Sequence, residues 1–84
     1  MTAKRRKTLQ ALFATPTRAS IPFADIERLI VALGGEVRAG VGPRVVFELH
    51  GKRTYVHRPH PGREAKKYQV EEVREFLRSL EIAP

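Results

Sequence analysis

The chain has 84 residues, 42% hydrophobic and 30% charged, which suits one thin globular core and excludes a multi-step enzyme with its own cofactor domain. Sixteen Lys and Arg against nine Asp and Glu give a net charge of +7, an attraction to polyanions of which nucleic acid is the commonest. The lack of cysteine excludes a disulfide framework and a thiolate zinc site and fits a reducing cytoplasm, and no apolar run approaches the roughly 18 residues of a membrane span.

In chain order, the start MTAKRRKTLQALFATP is positive, but its apolar run is too short and broken for a signal peptide. Lys4 to Lys7 (KRRK) read as a terminal basic arm, which either touches phosphate or simply solubilises. Leu9, Leu12 and Phe13 then lie at helical spacing. They predict a short helix from Lys7 to Ala14, closed by Thr15-Pro16 because a residue before proline resists helix.

A second helix is written into SIPFADIERLIVALGG. Ser20 supplies an N-cap, Pro22 is tolerated in the first turn, and Asp25 sits where the helix dipole favours an anion. Phe23, Ile26, Ile30 and Leu33 recur at steps of three and four, with Leu29 widening the stripe, and Gly34-Gly35 stop the helix. The helices are mixed in charge, which argues against a membrane surface as the polyanion.

After Gly35 the period changes to two. EVRAG predicts a short strand, joined through GVGP to RVVFELHG, in which Val45, Phe47 and Leu49 alternate with Arg44, Val46, Glu48 and His50. A tight connection at His50-Gly51-Lys52 leads to RTYVH, giving a three-stranded antiparallel meander. Past the loop RPHPGREAKK, Val70, Val73, Phe76, Leu77 and Leu80 define a last helix ending near Ile82, with Tyr68 expected to cap the core. The fold expected is α+β, in the order α-α-β-β-β-α, with helices on one face of the sheet and the other face open.

Alternation assigns that open face. With Val45, Phe47 and Leu49 inward, Arg38, Arg44, Arg53, Tyr55, His57 and His50 point outward. Arginine forks suit phosphate and Tyr or His rings suit stacking on unpaired bases, although the same residues also describe a plain solvated face. Lys66-Lys67, just before the last helix, add cations where backbone N–H groups already attract anions.

Histidines are the only candidate catalytic groups. Metal-free RNA cleavage needs a base for the 2′-hydroxyl and an acid for the leaving oxygen, and imidazole serves either near neutrality. No paired-carboxylate cluster suggests a catalytic metal, and no cofactor is implied. His57 and His60 lie in an extended, proline-containing stretch that separates their Cα atoms by roughly 10 Å, so they cannot bond directly. Whether both reach one phosphate depends on how the loop turns, and His50 is the weaker candidate.

The element order, the length and the closing HRPHPGREAKKYQVEEVREFL resemble the HicA family of bacterial toxins. His60-Pro61-Gly62-Arg63-Glu64 and Lys66-Lys67 match that family's loop, and ERLIVALGGEVRAGVGPRVVFEL is similar to its first helix, glycine stop and first hairpin. The likeness covers about residues 20 to 82, so residues 1–19 are expected to form a basic arm and extra helix ahead of a HicA-like domain at 20–84.

The resemblance implies a double-stranded-RNA-binding-like fold, cleavage of messenger RNA as a metal-independent endoribonuclease, and neutralisation by a HicB-like antitoxin. It also shows a departure. The family's catalytic histidine stands in a Gly-Ser-His motif on the second strand, where this chain has Gly42-Pro43-Arg44. Arginine is a poor general base and a good phosphate ligand. RNA binding would then rest on Arg38, Arg44, Arg53, Tyr55, Lys66 and Lys67, and any cleavage on His57 or His60, His57 first. The competing readings are a non-catalytic RNA-binding module on the same scaffold and a basic protein-interaction domain.

Overall fold

The computed structural model describes residues Met1–Pro84. Helix α1 spans Ala3–Phe13, strand β1 Ile21–Pro22, helix α2 Phe23–Ala32, strand β2 Glu36–Ala39, strand β3 Arg44–Leu49, strand β4 Lys52–His57, strand β5 Glu64–Ala65 and helix α3 Lys67–Ser79. The expected α+β order holds, with β2-β3-β4 as an antiparallel sheet. The pair β1-β5 is an addition. Two-residue strands carry no alternation to read, and this one is a clip that ties the loop after β4 to the start of α2.

The basic arm is instead the first turns of α1. Thr2 caps the helix by accepting the Arg5 N–H at 3.2 Å, so Lys4 to Lys7 are helical. Lys and Arg are good helix formers, but with no apolar residue among them no period announced the helix. Leu9 and Leu12 carry α1 into the core, at 5% and 0% exposure. Arg74 of α3 fastens its far end. Its Nε donates to the Leu12 carbonyl at 2.7 Å, and its Nη2 to the Ala14 carbonyl and to Thr17 Oγ1.

Ser20 does not cap α2. It adopts a left-handed φ of 70°, and the helix begins at Phe23, whose N–H donates to the Arg63 carbonyl at 2.9 Å. The β1-β5 clip thus satisfies a backbone donor that a side-chain cap would otherwise take. At the other end the Gly34 N–H reaches the Val31 carbonyl and the Gly35 N–H the Ile30 carbonyl, a Schellman motif that needs the φ of 94° found at Gly34.

Strands β3 and β4 are joined by a two-residue turn, His50-Gly51, with φ of 52° and 78°, as a type I′ turn requires. The turn fixes the register Leu49↔Lys52, Phe47↔Thr54, Val45↔Val56 on one face. Val45, Phe47, Leu49 and Val56 are each at most 2% exposed and pack under α2 and α3, with the Phe23 and Phe47 rings stacked at 6.0 Å. Val70, Val73, Phe76 and Leu77 supply the face of α3. Tyr68 is not part of this core: as the second residue of α3 it is 53% exposed. The buried face of α3 already closes with Val70 and Val73, which leaves Tyr68 on its flank.

Candidate nucleic-acid interface

The open face carries the side chains that alternation assigned to it. Across β3 and β4, Arg44 stands opposite His57, Val46 opposite Tyr55 and Glu48 opposite Arg53. On the other side of β3, Arg38 faces Val46 and Glu36 faces Glu48. The turn makes Leu49↔Lys52 a hydrogen-bonded pair, so the pairs of the open face between β3 and β4 are the non-hydrogen-bonded ones. These bring opposed Cα atoms to about 4.5 Å and side chains closest together. His50 sits in the turn, exposed, at the rim of this face.

Charge divides the face into two ends. At one end Arg38 Nη2 bonds both Glu36 Oε2 and Glu48 Oε1 at 2.6 Å, and Arg53 Nε lies 3.6 Å from the same Glu48 oxygen. The hydrogen bond that Arg38 donates to Glu36, and the charges of Glu36 and Glu48, raise the Arg38 pKa above its ordinary value. Two arginines and two glutamates balance there. Arg38 and Arg53 are therefore on the expected face but already hold carboxylates, with which a phosphate must compete.

At the other end nothing acidic intervenes. Arg44 is exposed beside the loop Gly40–Pro43, and its guanidinium lies 5.8 Å from the centre of the Tyr55 ring. Tyr55 is 57% exposed, and Val46 between the strands gives the face a half-buried apolar floor. An unpaired guanidinium, an exposed phenol ring and an imidazole thus share one end of the face, groups whose chemistry suits phosphate, a stacked base and proton transfer respectively.

His57 is held from behind by a residue that the sequence reading missed. Gln69, 2% exposed, donates from Nε2 to the His57 carbonyl at 2.7 Å and accepts the Lys66 N–H on Oε1 at 2.9 Å. It joins the last residue of β4 to the start of α3. Its signal was its spacing: Gln69, Val73 and Phe76 share one helical stripe, so a polar residue there had to find partners inside. The Arg58 N–H donates to the Pro43 carbonyl, and the Arg58 side chain pairs with Glu27 at 3.2 Å, so the chain leaves β4 in a fixed direction.

His60, Lys66 and Lys67 belong to a different place. His60 lies in the exposed loop after β4, Lys66 is the N-cap of α3 and Lys67 its first residue. No hydrogen bond or ion pair joins His60 to the Arg44–His57 end. The residues brought together are Arg44, Tyr55 and His57.

The family model described as the HicA toxin of bacterial toxin-antitoxin systems matches residues 23–82. No curated protein and no solved structure matches the chain.

Proposed function

The chain belongs to the HicA toxin family of bacterial toxin–antitoxin systems, and we propose on that footing that it binds RNA on its open sheet face and cleaves it there. The observation that carries this reading is the direct opposition of Arg44 and His57, with Tyr55 beside them. Arg44 stands where the family places its catalytic histidine. A guanidinium there offsets charge on the non-bridging phosphate oxygens, and His57, one strand away, takes the proton from the 2′-hydroxyl. The 2′-oxygen then attacks phosphorus, the bond to the 5′-oxygen breaks, and a cyclic phosphate and a 5′-hydroxyl result. The leaving oxygen takes its proton from water or from His60 if the loop closes over the RNA.

Lys66 and Lys67 extend the phosphate track toward α3, while Arg38 and Arg53 join only when RNA displaces their carboxylates. As a toxin component the chain acts on messenger RNA in the cytoplasm and is silenced by a HicB-like antitoxin. Residues 1–19 precede the matched segment, yet their helix α1 shares its core through Leu9 and Leu12.

The test is incubation of the purified chain with a structured RNA in EDTA at neutral pH, beside His57→Ala and His60→Ala. Cleavage that disappears in His57→Ala while binding persists establishes His57 as the base. Loss only in His60→Ala moves the role to the loop. Tight binding without cleavage in any version, the unsubstituted chain included, defeats the catalytic half of the proposal and leaves an RNA-binding module in which Arg44 has replaced chemistry by grip.

A further inference from the structure

We infer that the free edge of β4, together with the acidic flank of α3 beside it, docks an extended segment of a partner protein that carries lysine or arginine at alternate positions. This surface borders the proposed RNA face, with which it shares Arg53 and Tyr55, but its acidic wall on α3 lies outside that face and the inference does not depend on RNA binding there.

The sheet order β2-β3-β4 leaves β4 at an edge. Which of its residues are free follows from the turn. The pairs Leu49↔Lys52, Phe47↔Thr54 and Val45↔Val56 use the backbone groups of β4 that face β3, and the Arg58 N–H continues that series to the Pro43 carbonyl. The intervening residues turn their N–H and C=O groups outward. The His57 carbonyl is taken by Gln69, which closes one end of the edge. Arg53 and Tyr55 remain, with no strand to pair with, and an unpaired edge is a template for another strand.

Those two residues also form one wall of the largest groove on the molecule, about 880 Å³. The opposite wall is α3, with Tyr68, Glu71, Glu72 and Glu75. In a chain of net charge +7 this concentration of carboxylates is local and against the average. Glu71 accepts from Thr17 and Glu75 pairs with Arg78, while Glu72 has no ion-pair partner.

Occupancy follows from charge. A strand added to β4 alternates its side chains, so every second one faces α3 and meets carboxylates. Lysine or arginine there is attracted, with its aliphatic stem against the exposed Tyr68 ring. RNA is disfavoured, because its phosphates would meet three glutamates. A second copy pairing through its own β4 is disfavoured as well, since the two-fold that joins the edges would bring two acidic α3 flanks together.

The probe is a short capped peptide alternating lysine with valine and threonine, titrated into the full chain by fluorescence anisotropy, with amide hydrogen exchange read in parallel. The same peptide with glutamate for lysine is the comparison. The lysine peptide should bind and slow exchange at Arg53 and Tyr55, and the glutamate peptide should not bind. The double variant Glu72→Lys/Glu75→Lys, at exposed helix positions that lysine suits, should weaken the lysine peptide about tenfold and restore some binding of the glutamate peptide. RNA affinity of that variant should not fall.

Equal binding of both peptides, a lysine affinity unmoved by the double reversal, protection on β2 instead of β4, or no binding at all would each overturn the inference. So would RNA that protects Arg53 and Tyr55 edge amides and loses affinity when Tyr68 becomes alanine.

Discussion

Glu48 pairs with both Arg38 and Arg53 on the open face, and Glu48→Gln should strengthen RNA binding. Its carboxylate sits 2.6 Å from Arg38 Nη2 and 3.6 Å from Arg53 Nε. Neutralising it removes one negative charge from the face and loosens two guanidinium groups, with Glu36 left to hold Arg38 alone. Each phosphate newly neutralised adds about 0.7 to the slope of log affinity against log salt for single-stranded RNA. One to two such contacts steepen the slope by about 0.7 to 1.4. At moderate salt the affinity should rise about three- to tenfold, or about 0.7 to 1.4 kcal/mol. The assay is anisotropy of a labelled single-stranded RNA titrated from low to moderate salt. Glu75→Gln, on the α3 flank, makes the same change in net charge without touching the face, and should move affinity little and the slope hardly at all. Equal gains from the two substitutions would refute the reasoning, because they would show that net charge matters and the Arg38–Glu48–Arg53 arrangement does not.

Arg74→Met should lower stability by about 3 kcal/mol, since the buried guanidinium serves the Leu12 and Ala14 carbonyls and Thr17, and backbone acceptors left behind cannot be replaced by apolar atoms. Thermal unfolding should shift down by about 12 to 24 °C, and trypsin should begin to cut at Arg5 to Lys7 before the rest of the chain. Gln69→Leu should cost about 2 kcal/mol in denaturant unfolding, because the His57 carbonyl and the Lys66 N–H both lose their partner. If His57 is the base, the same variant should lower kcat more than it weakens RNA binding, a split that a merely destabilised fold would not produce.

How far the sequence could be read depended on what each feature answers to. The open face was legible because period-two alternation is a local property, and the buried Val45, Phe47, Leu49 and Val56 confirm its phase. Once the His50-Gly51 turn is recognised as a two-residue turn, even the opposition of Arg44 and His57 can be counted out. The engagement of Arg38 and Arg53 could not be counted in the same way. It depends on which side chain stands across the strand, and hence on both hairpins at once. The β1-β5 clip left no trace, since two residues have no period, and Ser20 was misread because the donor it would have served is satisfied by Arg63 from forty residues away. Tyr68 was misplaced for a geometric reason. It precedes the buried stripe of α3 by too little to share it, and its ring belongs to the groove.

The same distribution of charge explains how a strongly basic domain can present two unlike surfaces. Carboxylates are not scattered to dilute the +7. Glu36 and Glu48 gather at one end of the sheet and Glu71, Glu72 and Glu75 along one side of α3, which leaves Arg44, Lys66 and Lys67 without an ion pair. A polyanion approaching the molecule is therefore drawn to the Arg44 end and turned away from the β4–α3 groove, while a cationic strand feels the reverse within a few ångströms of the edge. Since salt screens exposed charges beyond about 10 Å, the two preferences coexist on so small a body only because each cluster acts at contact range.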